Sequence, residues 1–286
     1  MSEVDTSLPT QATGAAASFA ALHSNPHPLK LYGAWFCPFV QRVWIVLAEK
    51  QIPHQYIDIN PYHKSPEFLA LNPRGLVPTL ALTIPSSDGK DESQKVLYES
   101  TVLCEYLDEA YPGENPLLPK GDAPEEVYER ARCRLWMDHV GSRIVPAFYR
   151  LLQCNGGDEE GMEDARKGLL SALKLLTKEM APDGGPWFLG QRFGLVDVMM
   201  APWAKRLWLI DHYKEGGVGI PGKGERGEDE EIWGRWERWF EAIDGRRSVR
   251  DTWSDEEEYV KAYKRYADDT TQSEVGQATR KGRMLP

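Results

Sequence analysis

The sequence predicts two domains, an α/β domain followed by an all-α domain. Between residues 28 and 112, short apolar runs that suit strands alternate with segments whose apolar residues recur at helical spacing. The Pro- and Gly-containing stretch from 113 to 124 ends this alternation, and beyond it only the helical spacing recurs. A length of 286 residues, 41% of them hydrophobic, suits two domains of ordinary size, each with its own core.

The α/β domain is expected to contain four strands and three helices. The strands are predicted at Leu29–Tyr32, Gln55–Ile59, Leu76–Ile84 and Lys95–Tyr98. The helices are predicted around Val40, Val43, Trp44 and Leu47, over Pro66–Leu71 and over Glu99–Tyr111. The polar stretch 85–94 between the last two strands is then a hairpin loop.

The all-α domain is expected over residues 125–268. Its main helices are predicted by four apolar stripes at helical spacing, which run from Val127 to Met137, Leu169 to Met180, Val196 to Ile210 and Ile232 to Ile243. The Gly-rich and then acidic stretch 216–231 is expected to be a solvated loop. Residues 1–27 are expected to form a disordered leader and residues 269–286 a flexible tail.

Charge and composition exclude several kinds of partner. The chain has 44 acidic against 34 basic residues, a net charge of −10 that disfavours nucleic acid. The 4 cysteines have no paired spacing and the 6 histidines no metal-ligand spacing, so neither a disulfide framework nor a metal is expected. With no targeting signal and no apolar run of about eighteen residues, a cytoplasmic chain without membrane contact is expected.

The clearest chemical signal is Cys37, which lies between the first predicted strand and a helix that begins with Pro38. Unpaired N–H groups and the helix dipole favour an anion at a helix N-terminus, so thiolates placed there are stabilised. Position 40 is Val, so a mixed disulfide would have to be resolved by an outside thiol. The alternative for Cys37 is an ordinary buried cysteine.

Two further elements point to a ligand site when they are taken together with Cys37. Pro78 stands immediately before a predicted strand, where a cis-proline would leave backbone groups available to an extended ligand. Glu99 and Ser100 lie where the last strand meets a helix, so Ser100 can donate to a carboxylate and Glu99 can accept from an ammonium. An edge-strand proline and a plain helix start are the alternatives.

In this order, and followed by an all-helical domain, these motifs resemble the glutathione transferase family, and Phe36-Cys37-Pro38-Phe39 resembles its omega class. The resemblance implies a thioredoxin-like N-terminal domain, an all-α C-terminal domain and a homodimer. It also implies that the cysteine at position 37 forms a mixed disulfide with glutathione. The implied glutathione-binding positions are Phe36, Lys64, Val77, Pro78 as the cis-proline, Glu99 and Ser100.

The resemblance also assigns positions in the helical domain. Gly194 and Asp197 match the family's capping box, with Gly in place of the usual Ser or Thr. Trp203 and Arg206 match positions near the second-substrate pocket, although an aromatic residue at helical spacing is more often part of a core.

Three functions follow from these expectations. The leading hypothesis is a glutathione-dependent thiol transferase or dehydroascorbate reductase, in which Cys37 reduces or deglutathionylates small substrates. The second is a transferase that conjugates glutathione to an electrophile, possibly within a biosynthetic pathway. Tyr32 is the nearby hydroxyl for this reaction and a candidate for contact with the second substrate, and its alternative is an ordinary strand residue. The third is a non-enzymatic regulator or scaffold with the same fold, which would have no need of Cys37. For the two enzymatic hypotheses the expected partners are glutathione, as co-substrate, and a small electrophilic or disulfide substrate. No metal is expected.

Overall fold

The fold is described from a computed structural model. The described residues are 11–85, 92–113, 115–154, 157–181 and 185–285. The chain divides into two compact units. Unit 1 comprises residues 1–115 and 247–262, and unit 2 comprises residues 116–246 and 263–286.

Unit 1 contains a four-stranded mixed sheet in the order β2-β1-β3-β4. Its strands are β1 (Leu29–Gly33), β2 (Gln55–Asp58), β3 (Thr79–Pro85) and β4 (Glu92–Tyr98). β1 pairs with β2 in parallel and with β3 antiparallel, with Leu31 opposite both Tyr56 and Leu80. This is the thioredoxin-like arrangement that the resemblance implied.

The helices of unit 1 are α1 (Gly14–Leu22), α2 (Pro38–Glu49), α3 (Pro66–Leu71), α4 (Ser100–Ala110), α11 (Arg247–Asp251) and the first part of α12 (Glu256–Ala267). α2 and α4 pack against each other. Both bury apolar side chains completely, among them Val43 and Trp44 of α2 and Leu103 and Leu107 of α4. The apolar spacing of α2 therefore predicted its buried face correctly.

The predicted hairpin between the last two strands is present, with β3 and β4 paired antiparallel from Thr79–Tyr98 to Pro85–Glu92. Positions 86–91 of the predicted loop lie outside the described residues. β3 begins at Thr79 rather than at Leu76. The three residues before it include Pro78, which has no N–H to donate to a neighbouring strand.

The expectation of a disordered leader over residues 1–27 is wrong for α1, while residues 1–10 lie outside the described residues. Ala16 of α1 is completely buried and its N–H donates to Trp253 O at 3.1 Å. Gly14 has φ +55, and a Cβ atom there would stand 2.5 Å from Asp255 Oδ1. Alanine favours helix, and here the helix gains a buried face against residues far along the chain.

α1 and its C-cap residue bring two aromatic side chains to the α2 side of unit 1. Phe19 lies 6.2 Å from Trp44 between ring centroids, and His23 stacks on His54 at 3.9 Å. Nδ1 of His54 is hydrogen-bonded to Ile52 O at 2.8 Å. Burial lowers the pKa of His54 to about 4 and also lowers the pKa of His23.

Unit 2 is helical, as the sequence predicts. Its helices are α5 (Pro124–His139), α6 (Val145–Gln153), α7 (Glu159–Glu179), α8 (Leu195–Ala204), α9 (Leu207–Tyr213), α10 (Glu230–Gly245), the end of α12 and α13 (Glu274–Arg280). A π-helical turn, Val140–Ile144, joins α5 to α6. The stripe from Val196 to Ile210 forms two helices rather than one.

Asp197 fixes the start of α8 by accepting three hydrogen bonds. Its carboxylate accepts from the N–H groups of Phe188 and Gly194, both at 2.9 Å, and from Trp239 Nε1 at 2.8 Å. Burial raises the pKa of Asp197 to about 6, and these donors act in the opposite direction by stabilising the carboxylate. The carboxylate is therefore ionised at neutral pH, and glycine at position 194 is compatible with this cap.

Two further boundaries differ from expectation. The stretch predicted as a linker, 113–124, includes Leu117 and Leu118, which are both buried in unit 2. The predicted flexible tail, 269–286, includes helix α13, whose first turn is capped by the Ser273 hydroxyl. The Pro, Gly and polar residues of these two stretches favour a linker and a flexible tail. The few apolar and capping residues that become ordered in them give a weaker signal in the sequence.

Among the described residues, no helix is long and apolar enough to cross a membrane. The same residues contain no group of three or more His, Cys, Asp or Glu side chains arranged to hold a metal ion.

Candidate functional site

The centre of the candidate site is Cys37, the N-cap residue of α2. Pro38 occupies the first turn of this twelve-residue helix, where its missing N–H costs no hydrogen bond. The Cys37 side chain is partly exposed, and its Sγ lies 3.9 Å from Val77 O. The thiol therefore stands at the positive end of a helix and beside an extended backbone segment.

The other three cysteines are less suited to be nucleophiles. Burial raises the pKa of Cys104 to about 12 and that of Cys133 to about 11, and it also raises the pKa of Cys154. Because the thiolate is the reactive form, a thiol with a raised pKa is a poor nucleophile near neutral pH. Cys37 is thus the cysteine whose position best suits a nucleophile.

The segment beside Cys37 is a loop that ends in a cis Val77–Pro78 peptide bond. This bond is the cis-proline that the resemblance implied. Buried Asn72 shapes the loop, because its Nδ2 donates to Leu76 O at 3.1 Å and to Thr79 Oγ1 at 2.8 Å. The side chain of Asn72 thus holds both ends of the loop together.

A second backbone turn, at the end of β4, presents Glu99 and Ser100. Glu99 is the N-cap of α4 and has φ +72, a region that non-glycine residues rarely occupy and that often marks a functional site. The buried Ser100 hydroxyl accepts a hydrogen bond from Arg42 Nη1 at 3.1 Å. The hydroxyl hydrogen of Ser100 can therefore be donated to another acceptor, such as a carboxylate.

Lys64 belongs to the same face of unit 1 as the loop. A Cβ atom on Gly75, which has φ +64, would stand 3.0 Å from Lys64 Nζ. The ammonium therefore lies against the backbone of the loop that ends at Pro78. On the Cys37 side, the Phe36 ring is buried and stacks on Tyr62 with centroids 6.4 Å apart.

Three candidates for second-substrate contact have different surroundings. Tyr32 packs on Phe68 of α3 with ring centroids 5.8 Å apart, and it lines a cavity of about 450 Å³ together with Asp58. Trp203 and Arg206 belong to unit 2 and are 0% exposed. Nη1 of Arg206 donates to Pro202 O at 2.7 Å. The burial of Trp203 agrees with the alternative that it is a core residue. A contact of Tyr32, Trp203 or Arg206 with the second substrate stays a prediction.

The site residues of unit 1 form a chemically coherent set. One thiol stands at a helix N-terminus, one backbone carbonyl lies beside it, and one carboxylate is presented on a turn. Lys64 and the Ser100 hydroxyl add an ammonium and a donor for anionic groups. Such a set can bind an extended molecule with an amine, carboxylates and a sulfur atom.

Family models match both halves of the chain. The model described as glutathione S-transferase, N-terminal domain, matches residues 36–110, and the model described as glutathione S-transferase, C-terminal domain, matches residues 159–242. Together these matches span more than half of the chain. The chain belongs to the glutathione transferase family.

Similar proteins place this glutathione transferase near the omega class, as the motif around Cys37 indicates. Glutathione S-transferase omega-1 of Sus scrofa is 34% identical over 205 residues, which are 69% of this chain and 77% of the relative. The crystal structure of glutathione transferase Omega 3C from Trametes versicolor has a TM-score of 0.73 and 38% identity, and covers 92% of this chain and 100% of its own. Pyrimidodiazepine synthase of Drosophila melanogaster is 35% identical over 64% of this chain and 66% of its own length.

Two arginines near the candidate site of this transferase, Arg42 and Arg74, are not among the residues that the sequence motifs identify. Arg42 is 2% exposed inside α2, where its partner Ser100 could not be inferred from local sequence. Arg74 forms an ion pair with Glu99. A cation in an otherwise uncharged loop, Asn72 to Pro78, was the available signal for Arg74.

Proposed function

We propose that this glutathione transferase is an omega-type thiol transferase that reduces or deglutathionylates small substrates through Cys37. The observation that carries the proposal is the position of the Cys37 thiol, which is partly exposed at the N-terminus of α2 and 3.9 Å from Val77 O. A hydroxyl in place of this thiol would favour conjugation instead, because only a thiol can form a mixed disulfide.

The proposed reaction has two thiol–disulfide exchanges. The Cys37 thiolate attacks the glutathione sulfur of a substrate–glutathione disulfide, so the substrate sulfur leaves as a thiolate and takes up a proton. A second glutathione thiolate then attacks the glutathione sulfur bound to Cys37. This step releases glutathione disulfide and restores the Cys37 thiolate. Two glutathione sulfurs are thereby joined, and the substrate disulfide is reduced.

Glutathione would be held by the residues around the thiol. The backbone of Val77, which precedes Pro78, would pair with the cysteinyl part of the tripeptide. Lys64 would neutralise the glycine carboxylate, while Ser100 and Glu99 would bind the carboxylate and the ammonium at the γ-glutamyl end. This local set of donors is needed because the whole chain carries a net charge of −10.

The proposal is tested by comparing the wild type with Cys37→Ser and with Cys154→Ser, which removes a partly exposed cysteine of unit 2. We expect Cys37→Ser to lose reduction of a glutathionylated peptide and of dehydroascorbate, and Cys154→Ser to keep both. Intact mass spectrometry should show one glutathione adduct on the wild type and on Cys154→Ser after exposure to glutathione disulfide. Undiminished reduction by Cys37→Ser would refute the assignment.

A biosynthetic conjugating transferase is the alternative, favoured by the similarity to pyrimidodiazepine synthase. In that case Cys37→Ser would retain or gain conjugation of glutathione to a model electrophile, and reduction would be weak in the wild type. The homodimer and the cytoplasmic location remain predictions for both functions.

A further inference from the structure

A charged residue that the proposed mechanism does not use lies beside the γ-glutamyl end of the candidate site. Arg74, from the loop before Pro78, forms an ion pair with Glu99 through Nη1. Its guanidinium also lies 5.5 Å from the centre of the Tyr98 ring. The arginine therefore joins the loop that ends at Pro78 to the turn that begins α4.

The ion pair is held from both sides. The backbone N–H of Arg74 donates to Asn72 Oδ1 at 3.1 Å, and Asn72 is itself 1% exposed and bonded to Thr79. Glu99 is fixed at the N-cap of α4 with φ +72. The position of the pair thus depends on the backbone at Arg74 and at Glu99 as well as on the two side chains.

The pair nevertheless remains accessible to a ligand. The side chains of Arg74 and Glu99 are 44% and 45% exposed. A guanidinium carries five N–H donors in a planar fork, and an ion pair through Nη1 leaves donors on the other nitrogens. Both charges can therefore interact with a bound molecule at the same time.

We propose that Arg74 and Glu99 together form a clamp for a zwitterionic α-amino acid group, in which Arg74 binds the α-carboxylate while Glu99 binds the ammonium. This inference rests on the proposed binding of glutathione, whose γ-glutamyl end carries these two groups. Glu99 alone would attract any cation. With Arg74 beside it, the pair has no net charge. An amine that lacks the neighbouring carboxylate is repelled by Arg74 and therefore binds more weakly than it would to Glu99 alone.

The test measures the affinity of the full-length protein for two ligands by isothermal titration calorimetry. One ligand is glutathione, and the other is its decarboxy analogue, 4-aminobutyryl-Cys-Gly, which keeps the ammonium but lacks the α-carboxylate. We expect Arg74→Ala to weaken glutathione binding and to strengthen binding of the analogue. The preference for glutathione should fall about tenfold, the size of one charge-assisted hydrogen bond at a partly exposed site.

Two control variants separate recognition from general charge and from folding. Arg247→Ala removes another exposed arginine of unit 1 that is ion-paired, to Asp251, and it should leave the preference unchanged. Arg74→Lys keeps the charge but loses the planar fork, so it should restore part of the preference. Circular dichroism checks that each variant is folded.

The outcomes distinguish this inference from the proposed function. If the wild type binds glutathione and Arg74→Ala changes the preference by less than about twofold, the clamp is refuted while the proposed function stands. If the wild type does not bind glutathione, both are refuted. An equal loss of affinity for the two ligands would assign Arg74 to shaping the loop and would also refute the clamp.

Discussion

Acid should destabilise this protein through His54, and the size of the effect follows from its surroundings. His54 is 4% exposed, with Nδ1 bonded to Ile52 O and its ring stacked on His23, the C-cap residue of α1. Burial lowers its pKa from 6.5 to about 4, with smaller contributions from the charges of His23 and His27. The folded state therefore holds the neutral ring, and the unfolded state binds a proton more strongly.

The direction and size of the change in the free energy of unfolding follow from proton linkage. Because the folded pKa lies below the unfolded one, the stabilising contribution of neutral His54 is complete above pH 6.5 and is lost as the pH falls toward 4. The full loss is about 3 kcal/mol, and between pH 7.5 and pH 5.5 it amounts to about 1.4 kcal/mol. Measurement at pH 5.5 stays above the isoelectric point of about 5.2.

The perturbation is His54→Asn, whose side-chain amide can keep the donor to Ile52 O but does not titrate. Urea unfolding followed by tryptophan fluorescence gives the free energy of unfolding of the wild type and the variant at both pH values. The difference in free energy of unfolding between the wild type and the variant should change by about 1.4 kcal/mol from pH 7.5 to pH 5.5, in favour of the variant at the lower pH. His212→Asn, at an exposed site on α9, is the control and should show no such shift. A gap that stays constant within about 0.4 kcal/mol would refute the reasoning.

Two further predictions concern single charged side chains. Lys64→Ala should weaken glutathione binding several-fold at low salt, with a smaller effect as ionic strength rises; equal affinities of wild type and variant at low salt, measured by calorimetry, would remove Lys64 from the site. Asp197→Ala should lower the free energy of unfolding by about 3 kcal/mol or more, because the buried N–H donors of Phe188, Gly194 and Trp239 lose their acceptor. A loss below about 1 kcal/mol in urea unfolding would contradict that account.

Local patterns were sufficient for much of unit 1. The alternation of short apolar runs predicted its strands, and the spacing of Val40, Val43, Trp44 and Leu47 predicted the buried face of α2. α1 was missed because its alanine-rich sequence shows little difference between its faces, and its partner surface is supplied by residues 253–255. Such a helix depends on tertiary contacts that no window of sequence contains.

The candidate site likewise combines residues that local sequence identifies with residues whose roles depend on tertiary contacts. Cys37, Pro78 and the Glu99–Ser100 turn each have a local signature, a helix start or a strand boundary, so the sequence identified them. Arg42 and Arg74 act through partners 58 and 25 residues away. Their roles became visible only when the fold brought these partners together.

The contact between α1 and the segment 253–255 has a consequence for how the chain is made. Thr13 N–H donates to Ser254 Oγ, a partner 241 residues later. On a ribosome the sheet of unit 1 emerges early, but the surface that receives Ala16, and the Thr252 groups that accept from Gln41 Nε2, emerge only after most of unit 2. The unit whose synthesis begins first is therefore completed late, and a fragment ending at residue 115 would lack the segment that covers α1.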